Sequence, residues 1–352
     1  MIDLKNASKN TLFPLICRRT KDEYGSVLFE DDPVPTLIGI ARLAAQSPTL
    51  ESKRKVEYLE LETRNFIGRA SGNQMYFVWT INPYRGCEFG CKYCYARYAH
   101  EFMELRDPEQ FEQKIYAKRF QAHSFRAELR KIKKGESLWM GTATDPYQPA
   151  ERRYEISRKI LQVLSGQRYL ELGITTKSDL VARDIDLLSQ IAEKNKVRVH
   201  ITITTLDGQL ARLLEPRAPR PELRLNAVKR LTDAGIPVSV LAHPVMPLIN
   251  DSEASLDQVC QAAAANGASN FSAAPLFLKP CSQRVFFPFL NEHFPHLVRR
   301  YRERYEKNAY LKGHYPEMLK ERIARIKARY PMKTQEEPTW PIDDQLSLYN
   351  IK

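Results

Sequence analysis

Between about residues 76 and 274, short β-branched or apolar runs alternate with longer stretches of 3.6-residue period. Strands separated in this way by helices run parallel, because each helix carries the chain back along one face of the sheet. The pattern predicts strands at Tyr76–Asn82, Ser137–Thr142, Tyr169–Thr175, Val197–Thr204, Pro237–His243 and Ser269–Ala274. Helical stretches fall near Cys94–Leu105, His123–Ile132, Arg152–Leu164, Ser178–Lys194, Glu222–Ala234 and Glu253–Asn266. Asp233-Ala234-Gly235 and Ala265-Asn266-Gly267 are helix stops ahead of the next strand. The fold class expected is α/β, a partial (β/α) barrel of six units, since right-handed crossovers curl the sheet. A doubly wound open sheet fits the same pattern.

Around that unit the chain changes character. Residues 1–75 form an N-terminal extension or cover with one alternating segment, Val56–Thr63, and the barrel is expected over residues 76–280. Residues 281–330 read as strongly basic helices and residues 331–352 as an extended tail. In the 352-residue chain, 54 Lys and Arg stand against 42 Asp and Glu, a net charge of +12 that favours a polyanionic partner. The spread of aromatic residues and the 43% hydrophobic content exclude disorder and coiled coil as the main class. No window approaches the roughly 18 uncharged apolar residues of a spanning helix, and Met1–Asn6 lacks a secretory core, so a cytoplasmic protein is expected.

Three of six cysteines crowd into eight residues, Cys87-x3-Cys91-x2-Cys94, directly after the first predicted strand. That is the first βα loop, at the carboxyl end of the barrel where such folds build active sites. Thiolates suit zinc or iron with sulfide. Structural zinc closes a tetrahedron with four ligands, and His100 is the nearby fourth candidate. Three ligands instead leave one iron of a [4Fe-4S] cluster open to a substrate or cofactor. The spacing favours the iron–sulfur reading and leaves zinc as the alternative. Cys17, Cys260 and Cys281 stand alone.

The triad, with Tyr93 before its third cysteine, resembles the signature of the radical S-adenosylmethionine (SAM) superfamily. Asn82–Cys87, Thr144–Glu151, Thr176–Ser178, Glu215–Pro219 and Pro244–Pro247 resemble its DNA repair photolyase-like subgroup, related to spore photoproduct lyase, over about residues 56–305. This resemblance implies that Cys87, Cys91 and Cys94 hold a [4Fe-4S] cluster whose unique iron binds SAM. Reductive cleavage of SAM then gives a 5′-deoxyadenosyl radical that abstracts hydrogen, with a flavodoxin- or ferredoxin-type protein as electron donor. By the same analogy, Tyr93 neighbours the adenine and the stretch with Thr142, Thr144 and Asp145 meets the methionine amino end. Lys177 or Ser178 would meet the carboxylate or ribose.

Alternation in the predicted strands puts Thr202 and Thr204 on one face with His200, and Ser239 with His243. Repeated polar positions there suggest a lumen lined for a ligand, with β propensity as the plain alternative for each Thr and a satisfied core histidine for His243. Spore photoproduct lyase has a hydrogen-donating cysteine near its second barrel strand, whereas Trp139–Asp145 contains none. Cys281 is the candidate donor in its place, with an inert thiol as the alternative.

Arg212, Arg217, Arg220, Arg224, Lys229 and Arg230, and the C-terminal helices with Tyr301, Tyr305 and Tyr310, are candidate DNA contacts. Gln345-Leu346-Ser347-Leu348-Tyr349 resembles the peptide by which bacterial replication and repair proteins bind the sliding clamp. The expected activity is that of a radical SAM enzyme, a lyase or related, acting on DNA in repair. RNA or peptide modification by the same chemistry, and a zinc-stabilised nucleic-acid-binding protein, are the alternatives.

Overall fold

A computed structural model describes residues 37–53, 55–70 and 77–332 of the chain. Cys17, Tyr76 and the tail peptide Gln345–Tyr349 lie outside the described residues. In chain order the strands are β1 (Thr49–Lys53), β2 (Val56–Leu61), β3 (Ile67–Arg69), β4 (Trp79–Ile81), β5 (Tyr84–Arg85), β6 (Lys114–Lys118), β7 (Ser137–Met140), β8 (Glu171–Thr176), β9 (Lys196–Thr202), β10 (Val238–Val245) and β11 (Asn270–Pro275). The larger sheet has the order β11-β10-β9-β8-β7-β4-β3. From β4 to β11 every pairing in it is parallel and each strand lies beside its predecessor, the order a partial barrel requires. β3 adds an antiparallel edge through Gly68 opposite Thr80.

One face of this sheet is continuously apolar. Leu138, Met140, Leu172, Ile174, Val199, Ile201, Val240 and Ala242 are buried there with Ile160, Leu188, Val228 and Val259 from the crossover helices. Apart from Ala242, each of these side chains contributes about 1.5–3 kcal/mol by leaving water, which holds the helices to that face. Residues of opposite parity, Trp139, Thr175, His200, Leu241, His243 and Ser272, point to the other face and are only partly buried.

The structure adds elements that the periodicity did not reveal. A second sheet, β1-β2-β6-β5, pairs β2 in parallel with β6, and the Val56–Thr63 segment supplies β2. The helix expected over Cys94–Leu105 is reduced to a 3-10 turn, Tyr95–Arg97, and one helical turn, Tyr98–Glu101. The stretch expected as Arg152–Leu164 splits into Glu151–Tyr154 and Ile156–Leu164 at Glu155, whose φ is +51°. The break has a cause: the buried Glu151 carboxylate accepts from the Ser157 and Arg158 amides at 2.9 and 3.1 Å, capping the second helix.

The C-terminal region is helical at Pro280–His293, Val298–Tyr305 and His314–Arg329. The last helix packs along β11 and the helix Glu253–Ala265, with Arg329 donating to Asp257 at 2.9 Å and Lys327 to Asn270 at 2.8 Å. No helix among the described residues is long and apolar enough to cross a membrane.

Candidate cluster loop at the mouth of the sheet

The three cysteines follow β4 and β5 on a loop that the protein fastens by its own backbone. Gly86, at φ +80°, opens it, and a Cβ there would meet the Lys114 and Phe111 carbonyls at 2.7 and 2.8 Å. Its carbonyl accepts from Thr144 Oγ1 at 2.6 Å and Gln148 Nε2 at 3.0 Å, while Gln148 Oε1 accepts the Glu88 amide at 2.9 Å. Arg97, buried in an ion pair with Glu112, donates to the Cys91 carbonyl at 3.1 Å. Ser282 donates to the Cys94 carbonyl at 2.7 Å. From the segment before the helix Pro221–Asp233, the Leu214 carbonyl accepts the Lys92 amide at 2.9 Å and the Arg217 amide donates to Phe89 at 3.2 Å.

Cys87 and Cys91 are buried and Cys94 is partly exposed. Burial pushes all three thiols up, Cys91 to about 12, and for Cys87 and Cys91 repulsion from neighbouring sulfurs adds to it. Thiolates in such a place require a cation, and iron supplies one. The donor set therefore fits an iron–sulfur cluster. Among the described residues no three His, Cys, Asp or Glu converge on a single ion. A cubane spreads its cysteine sulfurs over separate irons, so convergence on one ion is not required of them. The fourth zinc candidate, His100, spends Nε2 on the Lys114 carbonyl at 3.0 Å, and burial lowers its pKa to about 4.

Beside the sulfurs lies a buried charged group that spans the sheet mouth. Tyr93 donates to the Glu215 carboxylate, Glu215 pairs with Arg224, and Thr204 donates to Glu215 at 3.3 Å. Arg224 also donates to the Thr202 carbonyl at 3.0 Å. Lys177 Nζ stands 5.6 Å from the Tyr93 ring centre. Burial pulls the Lys177 ammonium down, but Cys91, Glu215 and Asp145 outweigh it and raise its pKa. Glu215 and Arg224 were not legible as a pair from sequence. Arg224, only 1% exposed, is a partner of this carboxylate and unavailable to DNA phosphates.

Other expected contacts have internal partners. Asp145 accepts from Thr176 Oγ1 and the Lys177 amide, both at 2.7 Å, and from the Tyr147 amide at 2.9 Å. Ser178 caps the 3-10 turn Asp179–Asp184 through the Leu180 amide at 3.3 Å. Thr142 takes a 3.0 Å bond from Asn82 and offers its carbonyl to Tyr95. Cys281 lies behind the cysteine loop, its sulfur 3.9 Å from the Tyr95 carbonyl, in a small hollow with Arg97, Phe111 and Arg284.

On the polar face of the sheet, Trp139 lies across Gly173, donates to Thr175 at 2.8 Å and packs on His200 with ring centres 4.8 Å apart. His243 meets Ser272 at 3.1 Å. Burial lowers both histidines to about 4.

The radical SAM superfamily model matches residues 81–258, which contain the cysteine loop and the strands β7 to β10. An uncharacterized protein of Mycobacterium tuberculosis is 33% identical over 315 residues, 89% of this chain and 92% of its own. The chain belongs to the radical SAM superfamily. An uncharacterized protein of Methanocaldococcus jannaschii is 29% identical over 237 residues, 65% of this chain and 78% of its own. Among solved structures, a spore photoproduct lyase variant with bound SAM and dinucleoside spore photoproduct matches with a TM-score of 0.56 at 15% identity. That match covers 78% of this chain and 80% of the other, and it supports the fold. Radical SAM enzymes use a [4Fe-4S] cluster and SAM, and the radical SAM enzyme described here is α/β with the partial-barrel strand order. Membership sets aside the non-catalytic zinc reading.

Proposed function

We propose that Cys87, Cys91 and Cys94 hold the [4Fe-4S] cluster and that the enzyme abstracts hydrogen from DNA in a repair reaction. The observation that carries the cluster assignment is the triad, Cys87 and Cys91 buried and Cys94 partly exposed, on a loop whose carbonyls are fixed by Thr144, Gln148, Arg97 and Ser282. The cofactor, when bound, supplies one-electron cleavage of a sulfonium C–S bond. The chain's part is to orient it and exclude water.

Tyr93 on the loop and Lys177 just after β8 face this place, and we assign them to the adenosyl and carboxylate ends of SAM. Thr144 and Asp145 act as positioning residues, because their side chains tie the segment after β7 to the cysteine loop and to the end of β8, and Ser178 caps the turn that follows β8. Thr142 accepts from Asn82, and Thr202 and Thr204, both buried, bond the Arg224–Glu215 pair beside these groups. Cys281, behind the loop, is read as a packing thiol.

DNA is supported by the net charge of +12 and by the fold shared with an enzyme that holds a dinucleoside photoproduct. The test is anaerobic turnover of the reduced holoenzyme with UV-irradiated, uniformly deuterated DNA. Deuterium appearing in 5′-deoxyadenosine is the expected result. SAM cleavage without label transfer from DNA, but with transfer from RNA or a peptide, refutes the DNA assignment.

A further inference from the structure

The segment expected to interleave tyrosines with arginines resolves into two environments. Tyr301 and Tyr305 are core residues, their hydroxyls donating to the Pro247 and Leu276 carbonyls at 2.7 and 2.9 Å. Tyr310 is 65% exposed. It is not stranded in a loose loop: the Leu278 amide donates to the neighbouring Ala309 carbonyl at 2.9 Å, and the Tyr310 ring stacks on Phe277 at 4.2 Å and 26°. Phe277 in turn lies 6.0 Å from Tyr95, the residue after Cys94, which is 41% exposed, and Tyr95 stacks near Tyr98 at 6.5 Å. Lys279 places its ammonium 3.9 Å from the Tyr98 ring centre and 5.7 Å from that of Phe277.

Tyr310 and Tyr95 leave ring surface in water beside the cysteine loop, with Phe277 half-buried between them, and exposed apolar surface of this kind marks an interaction site. Their spacing as successive rings with a cation between them matches the way unpaired nucleotides are bound, bases on ring faces and phosphates on ammonium groups. We infer that Tyr310, Phe277, Tyr95 and Lys279 form a stacking surface for unpaired nucleotides that leads a DNA strand to the cluster loop. The surface rests on the DNA reading above and narrows it to a locally unpaired strand. A base drawn from a duplex must lose its stacking, and bare rings at the mouth replace part of what it loses.

The test is fluorescence anisotropy of the anaerobic holoenzyme with a labelled single strand of about 12 nucleotides and its duplex, at several salt concentrations. Tyr310→Ala is expected to weaken the single strand roughly 5- to 150-fold, the range for losing one stacked base, with the salt slope unchanged. Tyr310→Trp is expected to restore binding, which a merely structural role does not predict. Lys279→Gln is expected to flatten the slope by about 0.7, one phosphate contact on a single strand. If wild type binds but Tyr310→Ala and Phe277→Leu bind as tightly, the surface is wrong and the DNA reading stands. If wild type binds no nucleic acid, both fall. Slower reduction of the variants by a flavodoxin with unchanged oligonucleotide affinity makes the patch a dock for the electron donor and overturns the inference.

Discussion

Tyr93 donates its hydroxyl to the buried carboxylate of Glu215, 122 positions further along the chain, so the cysteine loop and the segment before the helix Pro221–Asp233 share one polar centre. Arg224 and Lys177 outweigh the burial of Glu215 and hold it below the usual carboxylate range. Removing its charge leaves the Arg224 guanidinium buried and uncompensated. Glu215→Gln is therefore expected to cost about 3 kcal/mol or more in urea unfolding, while Glu215→Gln with Arg224→Met recovers most of it. A loss under 1 kcal/mol, about that of an exposed pair, contradicts this account.

Cys87→Ala, Cys91→Ala and Cys94→Ala are each expected to abolish 5′-deoxyadenosine production and to lower bound iron and sulfide after anaerobic reconstitution. Cys260→Ala, buried in the helix Glu253–Ala265, is expected to change neither. A triad variant with full iron content and turnover removes that residue from the ligand set.

Gly173→Ala would place a Cβ 2.4 Å from the Trp139 ring. Overpacking of this kind costs about 1–3 kcal/mol, read as a lowered urea midpoint at unchanged slope. Trp139→Phe, which shortens the ring, is expected to offset it in the double variant, and additive losses would contradict the direct clash.

His100 is 1% exposed, and burial lowers its pKa from 6.5 to about 4. The unfolded chain binds this proton more readily, so stability is full above pH 6.5 and falls as pH drops toward 4, by roughly 3 kcal/mol. His100→Gln is expected to remove that part of the slope in urea titrations between those limits. An unchanged slope would show that other groups carry it.

The tail peptide offers a separate check of partner choice. Gln345→Ala with Leu348→Ala is expected to abolish sliding-clamp binding in a pull-down with purified clamp, and a wild-type chain with no affinity removes that partner.

The parallel core was legible because β7 to β11 bury one aliphatic face against helices, a signal of fixed period. β6, at Lys114–Lys118, was not, since its central residues Ile115, Tyr116 and Ala117 are all buried and show no alternation. The cysteine triad was legible because all its members are local in sequence. The pairing of Glu215 with Arg224 was not legible: it depends on tertiary placement, and an Arg among other Arg and Lys residues reads as surface, which is how Arg224 became a candidate DNA contact. Tyr301, Tyr305 and Tyr310 have the same composition around them, and only packing tells a core ring from an exposed one.

The loop that carries Cys87, Cys91 and Cys94 is held at its backbone carbonyls by hydroxyl, amide and guanidinium groups of Thr144, Gln148, Arg97 and Ser282. Its shape is thus inherited from the protein. A substitution at Thr144, Gln148, Arg97 or Ser282 would therefore reach the three sulfurs through the backbone that carries them.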